Sequence, residues 1–231
     1  MSRPLRSYDR VAGTYEFASR VFSGGKIPAS KAAQLPHLAA GDKVLYLGVG
    51  AGEDAVPAAA KGARVTCIDL SAGMIGRLRR KLDAAGLDAE LVVGDAFAHD
   101  RPGHYDAACA NYFLNVFKPD GMRAMLRHAA SLVRPGGKVM IADVAPPRGS
   151  APAKVFNRVY AKSAMVPFWL ARLVPWHENY DYAAECRAAG LEVLEEIPFR
   201  FAKIGPVTFM TVIARVPGEA GGGGVGGGGG S

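Results

Sequence analysis

From Lys43 onward the sequence alternates between short, wholly apolar runs and longer stretches in which apolar residues recur at helical spacing. The runs 43–48 (KVLYLG), 64–69 (RVTCID), 90–94 (ELVVG), 105–111 (YDAACAN) and 138–143 (KVMIAD) are apolar on both faces. Such runs belong in a parallel sheet covered by helices on either side. Helical patterns at 54–61, 72–85 and 119–133 fall among them, the alternation expected of βαβ units. Ser71 is placed to cap the helix over 72–85 and Gly86 to stop it, and Pro57 falls in a first turn, where it costs little. Residues 191–200 and 207–216 read as two long strands joined through Gly205 and Pro206, a hairpin that adds one antiparallel strand. The expected fold class is α/β: a doubly wound, mostly parallel, seven-stranded sheet with one antiparallel strand in a C-terminal hairpin.

Two segments break the alternation. Residues 1–40 read as a helical segment carrying Tyr8, Tyr15, Phe17 and Phe22 ahead of a Gly24-Gly25 break. Residues 145–182 hold both tryptophans, Trp169 and Trp176, with Phe156, Tyr160, Phe168, Tyr180 and Tyr182. Both are expected to form a lid over one domain spanning 41–216, with 145–182 as an insertion in it. Residues 217–231 are dominated by glycine and cannot bury enough apolar surface to offset the entropy of ordering, so they read as a flexible tail.

With 231 residues, 49% of them hydrophobic, the chain can bury one sizeable core. Cys67, Cys109 and Cys186 are an odd set at wide spacings, without a metal-ligand pattern, and read as buried, reduced thiols; no metal site is expected. The first ten residues lack an apolar signal core, and no run is long enough to span a bilayer, so the expected location is cytoplasmic. The formal charge of +7 suits an anionic partner, yet the cations are scattered apart from Arg77, Arg79, Arg80 and Lys81 on one helix. No RNA-binding motif or zinc-finger spacing accompanies them, so no nucleic-acid partner is expected.

The chemistry gathers at strand ends. Gly48, Gly50 and Gly52 follow the first strand, where glycine lets a ligand approach the backbone. Position 53 is Glu rather than the glycine a dinucleotide fold requires. A carboxylate there repels a diphosphate and suits a ligand bearing an ammonium group. Asp69 ends the second strand, about twenty residues on, where a carboxylate can accept from both hydroxyls of a ribose. Asp95 follows the third strand, placed to accept from an adenine amino group while Phe97 offers its ring.

These features in order resemble the class I S-adenosylmethionine (SAM)-dependent methyltransferases. The stretches VLYLGVGAG (44–52), VTCIDLSAGM (65–74), VVGDAF (92–97), YDAACANYFLNV (105–116) and LVRPGGKVMIADV (132–144) look like their successive motifs. Within the superfamily the chain is most similar to the ubiquinone/menaquinone C-methyltransferases and to small bacterial phospholipid N-methyltransferases. The resemblance implies a Rossmann-like domain with SAM as cofactor. Gly48, Gly50 and Gly52 would lie along its methionine part, Asp69 at the ribose, Asp95 at the adenine amino group, Leu70, Met74, Ala96 and Phe97 around the adenine, and Asn111 near the sulfonium. It further implies transfer of a methyl group to a hydrophobic small-molecule acceptor: a quinol, an aromatic natural product or a lipid headgroup.

The sequence departs from the family at two positions. Tyr46 stands where the superfamily carries an acid that meets the SAM ammonium; it is expected among the cofactor-binding residues as a hydrogen-bond acceptor without full charge, and Glu53 or Asp54 is expected to supply that charge. Leu114 stands where the quinone methylases carry a basic residue before Asn-Val. For a phenolic or carbon acceptor, His177 beside Trp176 is the candidate general base; His99 and His104 are placed to border the site. Phe168-Trp169-Leu170, flanked by Lys162 and Arg172, would suit a peripheral membrane contact. Two alternatives stand beside catalytic methyl transfer. A non-catalytic partner subunit would not bind SAM, and an enzyme running another SAM-dependent reaction would bind it and release no methylated product.

Overall fold

The computed structural model describes residues 23–50, 52–170, 179–200 and 205–218, with the side chains of all of these but 161–170. Strands β1 (Lys43–Leu47), β2 (Arg64–Asp69), β3 (Glu90–Val93), β4 (Tyr105–Cys109) and β5 (Val133–Val144) run parallel. Strand β7 (Val207–Arg215) lies antiparallel between β5 and β6 (Glu192–Arg200), giving the order β3-β2-β1-β4-β5-β7-β6. The expected class holds, including its single antiparallel strand.

Side chains of a strand alternate between faces, and the alternation sorts the core into two layers. Val44 and Tyr46 of β1 face one way, with Ala107 and Cys109 of β4, and pack under helices α2 (Ala55–Ala60) and α3 (Ala72–Ala85). Leu45 and Leu47 face the other way, with Ala108 and Ala110, under α4 (Pro119–Leu132) and α6 (Tyr182–Ala188). Ser71 caps α3 by accepting from the Met74 N–H at 3.1 Å, and Gly86 ends it at φ 64°. Helix α1 (Lys26–Ala32) follows Gly24 and Gly25, both at positive φ, and is held on β7 by Thr211, whose hydroxyl donates to the Ser30 carbonyl at 2.6 Å. Helix α5 (Ala151–Leu170) occupies most of the segment assigned to the lid insertion. Tyr8, Tyr15, Phe17, Phe22, Trp176 and His177 lie outside the described residues.

Where the structure departs from the periodicity, the cause is local. The helix over 119–133 and the strand over 138–143 meet without a loop: α4 stops at Leu132 and β5 starts at Val133. A bulge between Tyr105 and Ala107 admits the extra residues. Gly137 is required there, because a Cβ would stand 2.7 Å from the Asp106 carbonyl oxygen. Strand β4 ends at Cys109, two residues early, as the chain turns into Tyr112 at φ 52°, the one positive-φ residue other than glycine among those described.

Candidate active site

At the carboxyl edge, backbone bonds stitch the strand ends into one platform. Val49 N–H donates to the Ile68 carbonyl at 3.1 Å, Gly94 N–H to the Asp69 carbonyl at 2.9 Å, and Tyr112 N–H to the Ala142 carbonyl at 2.8 Å. Gly48, Gly50 and Gly52 are all left-handed, at φ 61°, 56° and 71°. A Cβ at Gly48 would overlap the Phe113 ring and one at Gly52 the Leu78 side chain, whereas a Cβ at Gly50 would meet no atom within 4 Å beyond its chain neighbours. Two glycines therefore serve packing and the middle one leaves room for a ligand.

Asp69 fastens this loop. Its Oδ2 accepts from Gly50 N–H at 2.8 Å and its Oδ1 from Ser71 N–H at 2.9 Å. Beside it Leu70 is 59% exposed, a costly position for an aliphatic side chain unless something covers it. Asp95 is exposed and caps the turn Ala96–Ala98 through Phe97 N–H at 3.0 Å. Ala96 is buried, and Phe97, 41% exposed, rests its edge on Phe117 at 5.8 Å. Met74 is buried at the start of α3.

Behind the glycine loop lies a buried polar cluster. Asn111 and Gln34 pair amide to amide: Gln34 Nε2 donates to Asn111 Oδ1 at 2.6 Å and Asn111 Nδ2 to Gln34 Oε1 at 2.9 Å. Asn111 Nδ2 also donates to Asp54 Oδ2 at 2.6 Å, and Asn111 Oδ1 accepts from Ala142 N–H at 3.0 Å. Asp54 is buried, and its Oδ1 has no hydrogen-bond partner. The Lys31 ammonium stands 3.8 Å from it and 5.9 Å from the centre of the Tyr112 ring. An unsatisfied buried carboxylate oxygen is costly and marks a place built for a donor. A cavity of about 490 Å³ opens onto it between α1, α2 and α3, with Lys31, Gly52, Glu53 and Lys81 in its wall.

Tyr46 is not among the groups that face a ligand. It lies in the core, and its hydroxyl donates to the Asp54 carbonyl at 3.2 Å, so it reaches the site only by holding the start of α2. Burial, followed by the neighbouring Cys109, pushes the Tyr46 phenol far above its usual range.

Comparison with known proteins gives the family. Residues 44–137 match the model of a family described as a methyltransferase domain. The chain is 32% identical over 187 residues to a demethylmenaquinone methyltransferase of Beutenbergia cavernae, covering 77% of this chain and 72% of that one. The chain belongs to the class I SAM-dependent methyltransferases. It is also 31% identical over 171 residues to a ubiquinone biosynthesis O-methyltransferase of Aromatoleum aromaticum, covering 68% and 66% of the two chains. In fold it resembles a Burkholderia thailandensis 1,6-didemethyltoxoflavin-N1-methyltransferase, with a TM-score of 0.61 at 19% identity, over 94% of this chain and 92% of that one.

In this methyltransferase the departure at Leu114 is a packing choice. The residue is fully buried, where an unpaired cation would be prohibitive. Asn115 beside it donates to Asp143 Oδ1 at 2.9 Å, and Tyr182 donates to Asp143 Oδ2 at 2.8 Å. His99 and His104 do not border the site. The loop after Asp95 runs back to the amino end of β4, where His99 Nε2 meets the Tyr105 hydroxyl at 2.7 Å and His104 packs on the same ring. His128 is structural: its Nε2 lies 3.0 Å from the Ala96 carbonyl and its ring packs on Phe97. The residues that sequence reasoning missed are Gln34, Lys31 and Ser30, all on or just after α1. Nothing local marks them, because their partners Asn111, Asp54 and Tyr112 lie on other elements, 77 positions away for Gln34 and Asn111.

Proposed function

We propose that this methyltransferase transfers the methyl group of SAM to a hydrophobic, aromatic small molecule of the quinol type. The observation that carries the reading is an aromatic row that starts beside Asn111. The Tyr112 ring meets Phe209 at 6.3 Å, Phe209 meets Tyr160 at 6.1 Å, and Tyr160 stacks on Phe156 at 5.9 Å. Stacked and edge-on rings of this kind favour a flat apolar guest. The similarity to menaquinone and ubiquinone methyltransferases supports the same class.

The residues present fit the cofactor. Asp69 would take the ribose hydroxyls, and Asp95 the adenine amino group, with Leu70 and Phe97 covered by the ring and Ala96 and Met74 behind it. Gly50 would lie closest to the methionine part, with Gly48 and Gly52 shaping the loop. The unpartnered Asp54 Oδ1 suits the ammonium, and Lys31 beside it suits the carboxylate. Asp54, not Glu53, thereby takes the part of the acid that Tyr46 displaces. When bound, SAM supplies a methyl group already activated by its sulfonium. The protein's own task is to hold the acceptor in line and exclude water. Tyr112 is fixed for this, since its hydroxyl bonds Ser30 Oγ at 2.8 Å and its backbone is locked at positive φ. His177 is the general base proposed for a phenolic or carbon acceptor. Residues 1–40 and 145–182 are the lid segments that would close over it.

Two measurements test the reading together. Calorimetric titration with SAM and S-adenosylhomocysteine should show binding that Asp69→Ala abolishes. Mass spectrometry of incubations with demethylmenaquinol and with a hydroxylated ubiquinone precursor should then find a methylated product from one of them. Binding without any methylated product from either acceptor removes the quinol-type assignment.

A further inference from the structure

Helix α5 turns one face to solvent over its first turns. Val155, Phe156 and Val159 are 59%, 39% and 64% exposed. They fall within an arc of about 100° on a helix of about 100° per residue. On the opposite side Asn157 is buried and donates to the Val207 carbonyl at 2.9 Å, which fixes the helix's rotation. Lys154 and Arg158, both exposed, edge the apolar stripe, and the sequence of the whole helix carries three cations and no acid. Three large apolar side chains held in water are unfavourable, and a border of cations without acids gives that patch a preferred partner. It matches a bilayer whose surface is anionic: apolar side chains enter the boundary between headgroups and acyl chains, and the cations remain at the phosphates. Phe156 belongs both to this stripe and to the aromatic row that ends at Tyr112, and it also borders a hollow of about 650 Å³ with Pro152, Arg200 and Val207.

We propose that the exposed face of α5 docks the protein on an anionic lipid surface, so that an apolar acceptor enters from the bilayer on the side of Phe156 and Tyr160. The delivery rests on the methyl-transfer reading; the docking is measured without any acceptor. The full chain is sedimented with vesicles of phosphatidylcholine alone and of phosphatidylcholine containing phosphatidylglycerol. Binding is expected only with phosphatidylglycerol, and it should weaken as salt is added. Val155→Asp/Val159→Asp should lower vesicle affinity at least about tenfold, and Lys154→Glu should weaken binding to the anionic vesicles. These side chains are exposed and none is assigned to the cofactor, so S-adenosylhomocysteine titration should be unchanged in both variants. Absence of that binding in the wild type would count against the cofactor reading and leave the lipid test intact. The docking is overturned if the wild type fails to sediment with anionic vesicles or if the double variant sediments equally well. It is also overturned if sedimentation velocity shows a dimer that the double variant dissolves, which would assign the stripe to a second copy of this chain.

Discussion

Asp54 concentrates the chemistry of the site at a single residue. One of its carboxylate oxygens is satisfied by Asn111, and the other lies 3.8 Å from the Lys31 ammonium. Asp54→Asn can keep its oxygen towards Asn111 while removing the charge, so folding should survive and ligand binding should suffer. A charge-assisted hydrogen bond lost in this way corresponds to roughly tenfold or more in affinity. Calorimetry should show S-adenosylhomocysteine weakened by that factor with little change in melting temperature; unaltered affinity would remove Asp54 from the ammonium site. Gly48 gives the contrasting prediction. A methyl group at φ 61° is strained and would press into the Phe113 ring. Gly48→Ala should therefore cost about 2–4 kcal/mol in urea unfolding, whatever its effect on ligand binding.

At the scale of elements, the loop between β3 and β4 carries a pH dependence separate from catalysis. Burial, with Arg101 next, holds the His99 imidazole below its usual pKa, while the Tyr105 hydroxyl stands 2.7 Å from its Nε2. The folded state thus favours the neutral ring. As pH falls through about 6.5 the unfolded chain takes up the proton first. The contribution of this group is full above that pH and is lost on acidification towards the lower folded value. Urea midpoints should drop between pH about 7.5 and about 5.5, and His99→Gln should reduce that drop. An equal drop in the variant would place the dependence elsewhere.

On the scale of the whole molecule, the two core layers enclose all three thiols. Cys67 and Cys109 lie in the layer under α2 and α3, and Cys186 in the layer under α4 and α6. Burial raises each of them, Cys186 to about 12. Without thiolate or access, none should react with iodoacetamide in the folded protein. Labelling counted by mass spectrometry should stay near zero until urea unfolds the chain, and should then reach all three cysteines together if the layers open cooperatively. Rapid labelling of one thiol in the native state would show that its layer opens independently. No helix among the described residues is long and apolar enough to cross a membrane.

The sequence by itself determined the α/β class, the succession along the chain of the first five strands and the places of Gly48, Gly50, Gly52, Asp69 and Asp95 at strand ends. It could do so because periodicity, glycine and strand-end acids are local properties of the backbone. It did not reveal that Tyr46 is a core residue, that His99 and His104 return to the opposite edge, or that α4 runs straight into β5. Nor did it show that Gln34, Lys31 and Ser30 belong beside Asn111, Asp54 and Tyr112. Those are consequences of packing: only when β4 lies next to β1, and α1 is held on β7, do residues distant in sequence come within hydrogen-bonding distance. A buried polar group then finds its partner through the fold rather than through spacing along the chain.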